Sequence, residues 1–414
     1  GGSKNVALGS GALELLNVNG EGHNVGVGYT AGQLMTSGIK NTVIGSLSGD
    51  ALTTGMQNTF VGFNSGGATT TQSYNTAIGD SALSTNVNGA RNVAIGNAAL
   101  STMNPASSTD TYNVAIGYDA GTAVTTGTLN TIVGGLAGDA LTIGNSNVAI
   151  GHQALTTEVA GDRSVAIGLN ALRLQTNAST VDVYNIAIGY EAGAAVTTGV
   201  QNTLIGGLAG DAITVGMNNV ALGYNALGAE VGNSANVAIG THALEDQTSS
   251  SGSAYNTAVG HAAGRNVTTG ANNTLVGGLA GDAITTASNN SIYGSGAGGS
   301  ITTAPHNVAI GYAALHSATD QGYNVAIGST ALYSTVNGGK AVAVGYKALN
   351  AMNPSSDTDT YNIAIGYEAG KAVTTGIRNV IIGGLAAQNL AVGQKNIAIG
   401  FNALGSETNH SLNV

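Results

Sequence analysis

The five residues Asn92-Val93-Ala94-Ile95-Gly96 are one copy of a unit that recurs along the whole chain. Its closing glycine stands at Gly9, Gly28 and Gly45 and then onward to Gly383 and Gly400, 23 copies with 22 intervals between them. Seventeen intervals are 17 residues, four are 20 or 21, and one is 19. A period this strict describes one small unit stacked many times, each touching mainly its neighbours. Taking Asn as position 1, Gly fills position 5 in every copy and Asn fills position 1 in 21, with Ser164 and Ala341 as the exceptions. Position 8 is Ala in 21 copies, with Ser48 and Ser65 as the exceptions.

Positions 2 and 4 are β-branched or Leu in nearly every copy, which favours a strand over a helix interrupted by glycines. Stacked strands from successive coils give an all-β parallel β-solenoid of about 23 coils, on the order of 110 Å long at the usual strand spacing. Positions 2 and 4 share one side of the strand and are expected to fill its interior. Gly at position 5 suits a corner that excludes a Cβ. Asn at position 1 suits a second corner, its amide bonding the same Asn one coil away. Asn113, Gly117, Asn185, Gly189, Asn307 and Gly311 are representative turn residues of this kind.

A coil of 17 residues encloses little core. Position 3 is mostly Ala but is large in Val43, Phe60, Ile132, Leu204, Leu275, Ile292 and Ile381. Such strands are apolar on both faces and need cover on each. A second copy of the chain would supply it, so a homo-oligomer with a lateral interface is expected. A longer period lies above the first. Leu or Gly alternates in blocks at position 9, and Tyr112-Asn113, Tyr184-Asn185 and Tyr255-Asn256 recur at intervals of 72 and 71. Each super-repeat has four coils, within a single array over residues 1–414. The long coils place polar loops near 101–112, 173–184, 245–255 and 350–361, expected to bulge from one face. Asp110, Tyr112, Asp182, Tyr184, Asp357, Asp359 and Tyr361 in those loops are the candidates for receptor contact.

Composition narrows the function. Charged residues are 8% of the chain, the net charge is −10, and the 11 basic residues are spread thinly along the sequence. Nucleic-acid binding therefore has no electrostatic footing. There is no cysteine, and no apolar run is long enough to span a membrane. The chain opens and closes within the array, as expected of a mature product or a segment of something longer.

The string Asn307-Val308-Ala309-Ile310-Gly311-Tyr312-Ala313-Ala314-Leu315, with its variant at Asn219–Leu227, resembles the head repeats of YadA-like trimeric autotransporter adhesins. It is similar also to repeats of phage tail fibres and surface fibre proteins. The similarity runs from Asn5 to Leu404. It implies a left-handed β-roll, three intertwined chains and a role in adhesion or fibre building. The adhesin repeat is shorter, and residues 1–414 are themselves expected to form neither a coiled-coil stalk nor an anchor.

Chemistry has little to stand on. Gly134-Gly135-Leu136-Ala137-Gly138-Asp139 resembles a calcium nonapeptide, and further copies end at Asp211 and Asp282. Such motifs act in tandem, whereas these lie about 72 residues apart, so a structural turn or an interchain hydrogen bond is expected ahead of calcium. Gly294-Ser295-Gly296-Ala297-Gly298-Gly299 matches a dinucleotide fingerprint with no helix to follow it. The seven histidines are scattered. Tyrosines at position 6 are expected to cover an apolar groove. The expected role is a non-enzymatic, extracellular structural fibre on a cell surface or virion, without a cofactor. Its expected partners are itself, as a trimer or end-to-end polymer, and a glycan or protein receptor. Neither nucleic acid nor membrane insertion is expected. The alternative is a glycan- or ice-binding solenoid, the latter through Val-Thr-Thr-Gly motifs such as Val124–Gly127.

Overall fold

The computed structural model describes residues 2–248 and 252–413. They are all-β with no helix, and 23 three-residue strands run from Val6–Leu8 to Ile397–Ile399. The chain forms two compact units, Gly1–Leu204 and Ile205–Val414. Within each, strands pair in parallel with the equivalent strand of the next coil. Val93, Ala94 and Ile95 lie opposite Val114, Ala115 and Ile116, and Val325, Ala326 and Ile327 lie opposite Val342, Ala343 and Val344. The sequence period is therefore a parallel β-solenoid with about one strand per 17 residues.

Hydrogen bonds join the coils beyond these strands. In the arc after Gly45, Gly45 N–H donates to Val27 O, Leu47 N–H to Tyr29 O, and Gly49 N–H to Ser65 O. Successive donors thus reach the coil on one side and then the coil on the other. That pattern requires a backbone that reverses hand. Positions 7, 9 and 17 take left-handed φ whatever residue they carry, as at Ala98 (53°), Leu100 (49°) and Arg91 (63°). Position 5 needs glycine for a second reason. Gly117 has φ 143°, and a Cβ there would sit 2.5 Å from the carbonyl oxygen of Gly134 in the next coil.

The interior is the reverse of the sequence expectation. Position 3 points inward and is fully buried, as at Ala94, Phe60 and Leu275. Positions 2 and 4 point outward and stay partly exposed, 37% at Ile44, Ile78 and Ile116 and 43% at Leu222. Alternation puts 2 and 4 on one side and 1, 3 and 5 on the other, but does not say which side is in. The thin coil settles it, because the interior also holds Asn at 1, Ala at 8 and the side chains at 9 and 12. Ala99, Leu100 and Met103 are all fully buried.

This also explains the two sequence patterns that looked separate. Leu stands at position 9 in eleven coils, and position 3 is Ala in every one of them. Where position 3 is larger than Ala, position 9 is Gly or Ala. The two side chains compete for one space. A Cβ on Gly66 would lie 2.7 Å from the Phe60 ring, and one on Gly298 would lie 2.7 Å from Ile292 Cδ1. A third type of coil is small at both positions, and its neighbours fill it. A Cβ on Gly121 would meet Ile132 at 2.8 Å on one side and Leu100 at 3.2 Å on the other. The block order is thus a packing solution that keeps core volume even along the stack. It removes the earlier reason for lateral cover, since large residues at position 3 are interior.

Asn at position 1 forms a buried ladder. Asn130 N–H donates to Asn113 Oδ1 (3.0 Å), and Asn147 N–H to Asn130 Oδ1 (2.9 Å). The Asn130 amide also donates to Gly144 O within its own coil (2.9 Å). Asn185 bonds Gly199 O and accepts from Asn202 N–H, and Asn307 accepts from Asn324 N–H. Gly189 and Gly311 hold φ of 142° and 130°.

Position 12 carries buried polar groups that the sequence did not announce. Glu158 Oε1 accepts from the N–H groups of Val159, Ala160, Gly161 and Asn177, while Oε2 accepts from Gln175 and Asn177. Glu230 repeats the arrangement with Gly232, Asn233 and Gln247, and burial pushes its carboxyl above the ordinary range. Gln247 in turn accepts from Asn256 of the ladder (3.2 Å). A carboxylate ringed by backbone N–H groups is fully partnered, which is what its burial requires.

Candidate functional site

The long coils whose insertions are described place their extra residues at the same corner, ahead of position 1 of the next coil. The insertions are not free excursions. Thr109–Asp110 pairs in parallel with Gly89–Ala90, Thr358–Asp359 with Gly338–Gly339, and Gly252–Ser253 with Asn233–Ser234. Asp182 bridges Asp162 in the same way. Within the first loop Met103 and Thr111 are fully buried, so only Ser107, Ser108 and their neighbours stand clear. Of the loop 245–255, residues 249–251 lie outside the described residues.

The added rungs line up with the residue at position 17, immediately before each repeat Asn. Lys4, Lys40, Arg91, Arg163, Lys340, Arg378 and Lys395 occupy that position, seven of the eleven basic residues. Tyr74, Tyr112, Tyr184, Tyr255, Tyr323 and Tyr361 occupy it as well. Every one of these residues is exposed. Basic side chains that are spread thinly along the sequence therefore gather in one column in each unit, which corrects the expectation drawn from their sequence spacing.

Within that column the candidate contact residues form a repeated cluster. Arg91 Nε lies 2.9 Å from Asp110, and Tyr112 donates to the same carboxylate at 3.4 Å. Lys340 lies 2.6 Å from Asp359, and Tyr361 donates to it at 3.3 Å. Arg163 pairs with Asp182, and Tyr184 donates to Asp182 at 3.1 Å. Lys4, Glu21 and His23 repeat the theme in the 19-residue coil. In the remaining long coil the corresponding residues are Ala235, Ser253 and Tyr255, so the charges are missing. The Asp110 carboxylate raises the Arg91 guanidinium, and the Lys340 ammonium holds Asp359 below the usual carboxylate range. Asp357 stands on the exposed tip beside this cluster.

Two of the clusters are more elaborate, one in each unit. The Arg91 guanidinium carbon sits 4.6 Å from the Tyr74 ring centroid and 5.7 Å from that of Tyr112. Lys340 sits 5.6 Å from the Tyr361 ring, and Tyr323 stands one coil before it, stacked on His306 at 4.9 Å. Gln72 bonds Ser108 of the loop at 3.2 Å, and Asn88 bonds Pro105 O at 3.0 Å. Asn337 bonds Pro354 O at 3.1 Å in the second cluster. The loop sequences are nearly the same, Met103-Asn104-Pro105-Ala106-Ser107-Ser108-Thr109-Asp110 and Met352-Asn353-Pro354-Ser355-Ser356-Asp357-Thr358-Asp359. Tyr74, Arg91, Tyr323 and Lys340 escaped the sequence analysis. Registering the residue that precedes each repeat Asn would have found them.

Other candidates lie elsewhere. The position-6 tyrosines do not cover a groove within the chain. Tyr312 is 65% exposed, and Tyr346 and Tyr367 stack on one another at the surface, centroids 5.4 Å apart. Asp139 is held by the Thr156 hydroxyl, and Asp282 is half-buried with its carboxyl raised by burial. No group of three metal-ligating side chains forms among the described residues. Threonines at position 13 direct their hydroxyls into the stack, Thr125 to Thr142 O at 3.3 Å and Thr142 to Val159 O at 2.9 Å. Those hydroxyl donors are engaged in holding coils together. No family model, curated protein or solved structure matches this chain.

Proposed function

We propose that this chain is a non-enzymatic structural fibre segment. In this reading it is extracellular, on a cell surface or virion, and works as part of an adhesin, a phage tail fibre or a surface filament. Three copies of a left-handed solenoid pack side by side, and the long-coil corners display the contacts to a receptor.

One observation carries the reading. Position 4 is Leu, Val, Ile or Tyr in all 23 coils, position 2 is Val, Ile, Thr or Ser, and neither is ever charged. Both point out of the solenoid and remain partly exposed. An apolar stripe repeated on every coil of each unit far exceeds the scattered apolar residues normal on a monomer surface. A sister copy bearing the same stripe is a self-complementary cover, and the low charge of the chain offers nothing to keep copies apart. The test places a charge on the stripe. Ile116→Arg combined with Ile310→Arg is expected to split the assembly, read by light scattering. An assembly mass unchanged by two arginines on the stripe counts against it.

A further inference from the structure

We infer that the two tyrosine–cation–tyrosine platforms, Tyr74–Arg91–Tyr112 and Tyr323–Lys340–Tyr361, are binding sites for an extended, uncharged glycan chain. The inference deepens, and rests on, the reading of the long-coil corners as receptor contacts.

These rings stand outside the core and are engaged only with surface neighbours. Tyr74, Tyr112, Tyr323 and Tyr361 are 45–56% exposed and contribute nothing to the core. They also sit at φ 65°, 51°, 63° and 51°, where Asn or Gly would cost the backbone less. The chain does use Asn at the same position in Asn218, Asn272 and Asn289. Bulky rings held where the backbone disfavours them, and facing solvent, have their use outside the chain.

The chemistry of the platform selects the ligand. Each cation is paired with a carboxylate, Arg91 with Asp110 and Lys340 with Asp359. The paired charges nearly cancel, so a polyanion gains little from the cation and meets the carboxylate. The chain's net charge of −10 opposes it further. An uncharged sugar suffers neither effect. Its C–H face stacks on a tyrosine ring, and its hydroxyls bond to fixed carboxylate, guanidinium or ammonium groups on the neighbouring rung. The two rings stand two coils apart, about 9.6 Å at the usual strand spacing. That is close to the disaccharide repeat of an extended β-linked chain. One ligand can thus pack against the exposed parts of both tyrosines while the sugar between them bonds the cation, which lies over Tyr74 and Tyr112 in the first platform and over Tyr361 in the second. Having one platform in each unit makes the chain bivalent before any assembly.

The test titrates the full chain with cellohexaose and chitohexaose, and with heparin and an oligothymidylate as anionic probes, by calorimetry. The variant is Tyr112→Asn with Tyr361→Asn, which suits the left-handed backbone and preserves the fold. Tyr29→Asn with Tyr312→Asn removes exposed rings from a different column. Saturable binding of a neutral hexasaccharide is expected, weakened about tenfold or more by the first variant, as for loss of an aromatic stacking partner, and unchanged by the second. No binding of either neutral sugar, equal effects of the two variants, or preference for an anionic probe overturns the inference. Light scattering on the same samples reads assembly separately, so a trimer that ignores sugar sinks this site and leaves the fibre reading standing.

Discussion

Replacing Asn130 by Ala would open the buried amide ladder at one rung. Three hydrogen bonds disappear: to Gly144 O at 2.9 Å, to Asn113 Oδ1 at 3.2 Å, and from Asn147 N–H at 2.9 Å. Asn113 keeps one of its partners, because the Asn130 backbone N–H still donates to it at 3.0 Å. Asn147 N–H and Gly144 O lose theirs in a site closed to water, since Asn130 and Asn147 are fully buried. Each orphaned group costs about 1–3 kcal/mol, so the substitution costs about 2–6 kcal/mol. In a stack where each coil touches its neighbours, that cost appears first as local opening. Amide hydrogen exchange over residues 130–147 should accelerate well before distant coils respond, and chemical denaturation should shift in the same direction. The exposed Ser146→Ala is the control, expected within about 0.5 kcal/mol of the parent. A loss for Asn130→Ala no larger than that control would refute the ladder as a source of stability.

Three further outcomes follow from the same geometry. Gly66→Leu should destabilise by more than the 1–3 kcal/mol usual for overpacking, because its Cβ alone lies 2.7 Å from the Phe60 ring, whereas Gly66→Leu made together with Phe60→Ala recreates the natural Leu–Ala pairing and should recover most of the loss, read by thermal denaturation. The chain has no cysteine, so single cysteines report facing directly: Ala94→Cys should resist a thiol reagent in the native state, and equal labelling of Ala94→Cys and the exposed Ser107→Cys would contradict the inward position 3. Burial raises the Glu230 carboxyl above its ordinary value of 4.5, so the folded state holds its proton more tightly and the ionisation of Glu230 opposes folding as pH rises above 4.5. The stability of the parent relative to Glu230→Gln should therefore fall as pH rises from below 4.5 through the raised folded-state value, and a difference independent of pH would contradict it.

The positions legible in the sequence were those where backbone geometry leaves little choice. Gly117 and its equivalents must lack a Cβ, and Asn113 and its equivalents must both donate and accept at a buried corner, so residue identity alone reported the role. The facing of the strand was not legible. Val93 and Ile95 are larger than Ala94, and size suggested that they were the core. In a coil this thin the interior already holds Asn92, Ala99, Leu100 and Met103, and Ala is what fits beside them. The pairing of Ala94 with Leu100, or of Phe60 with Gly66, was visible as two separate alternations, and only the structure shows that one space links them. The platform was hidden for a different reason. Tyr74, Arg91 and Tyr112 are far apart in sequence, and the stacking of coils makes them neighbours. Asp110 and Tyr112 were legible because they stand in an insertion, where loop composition draws attention.

The most direct test is the mass of the unmodified chain in solution, by sedimentation equilibrium at low protein concentration. An outward apolar stripe on every coil, shielded by sister copies, predicts a species of three times the 40.4 kDa chain. A stable, non-associating particle of 40.4 kDa would leave that stripe bare in water and would contradict it.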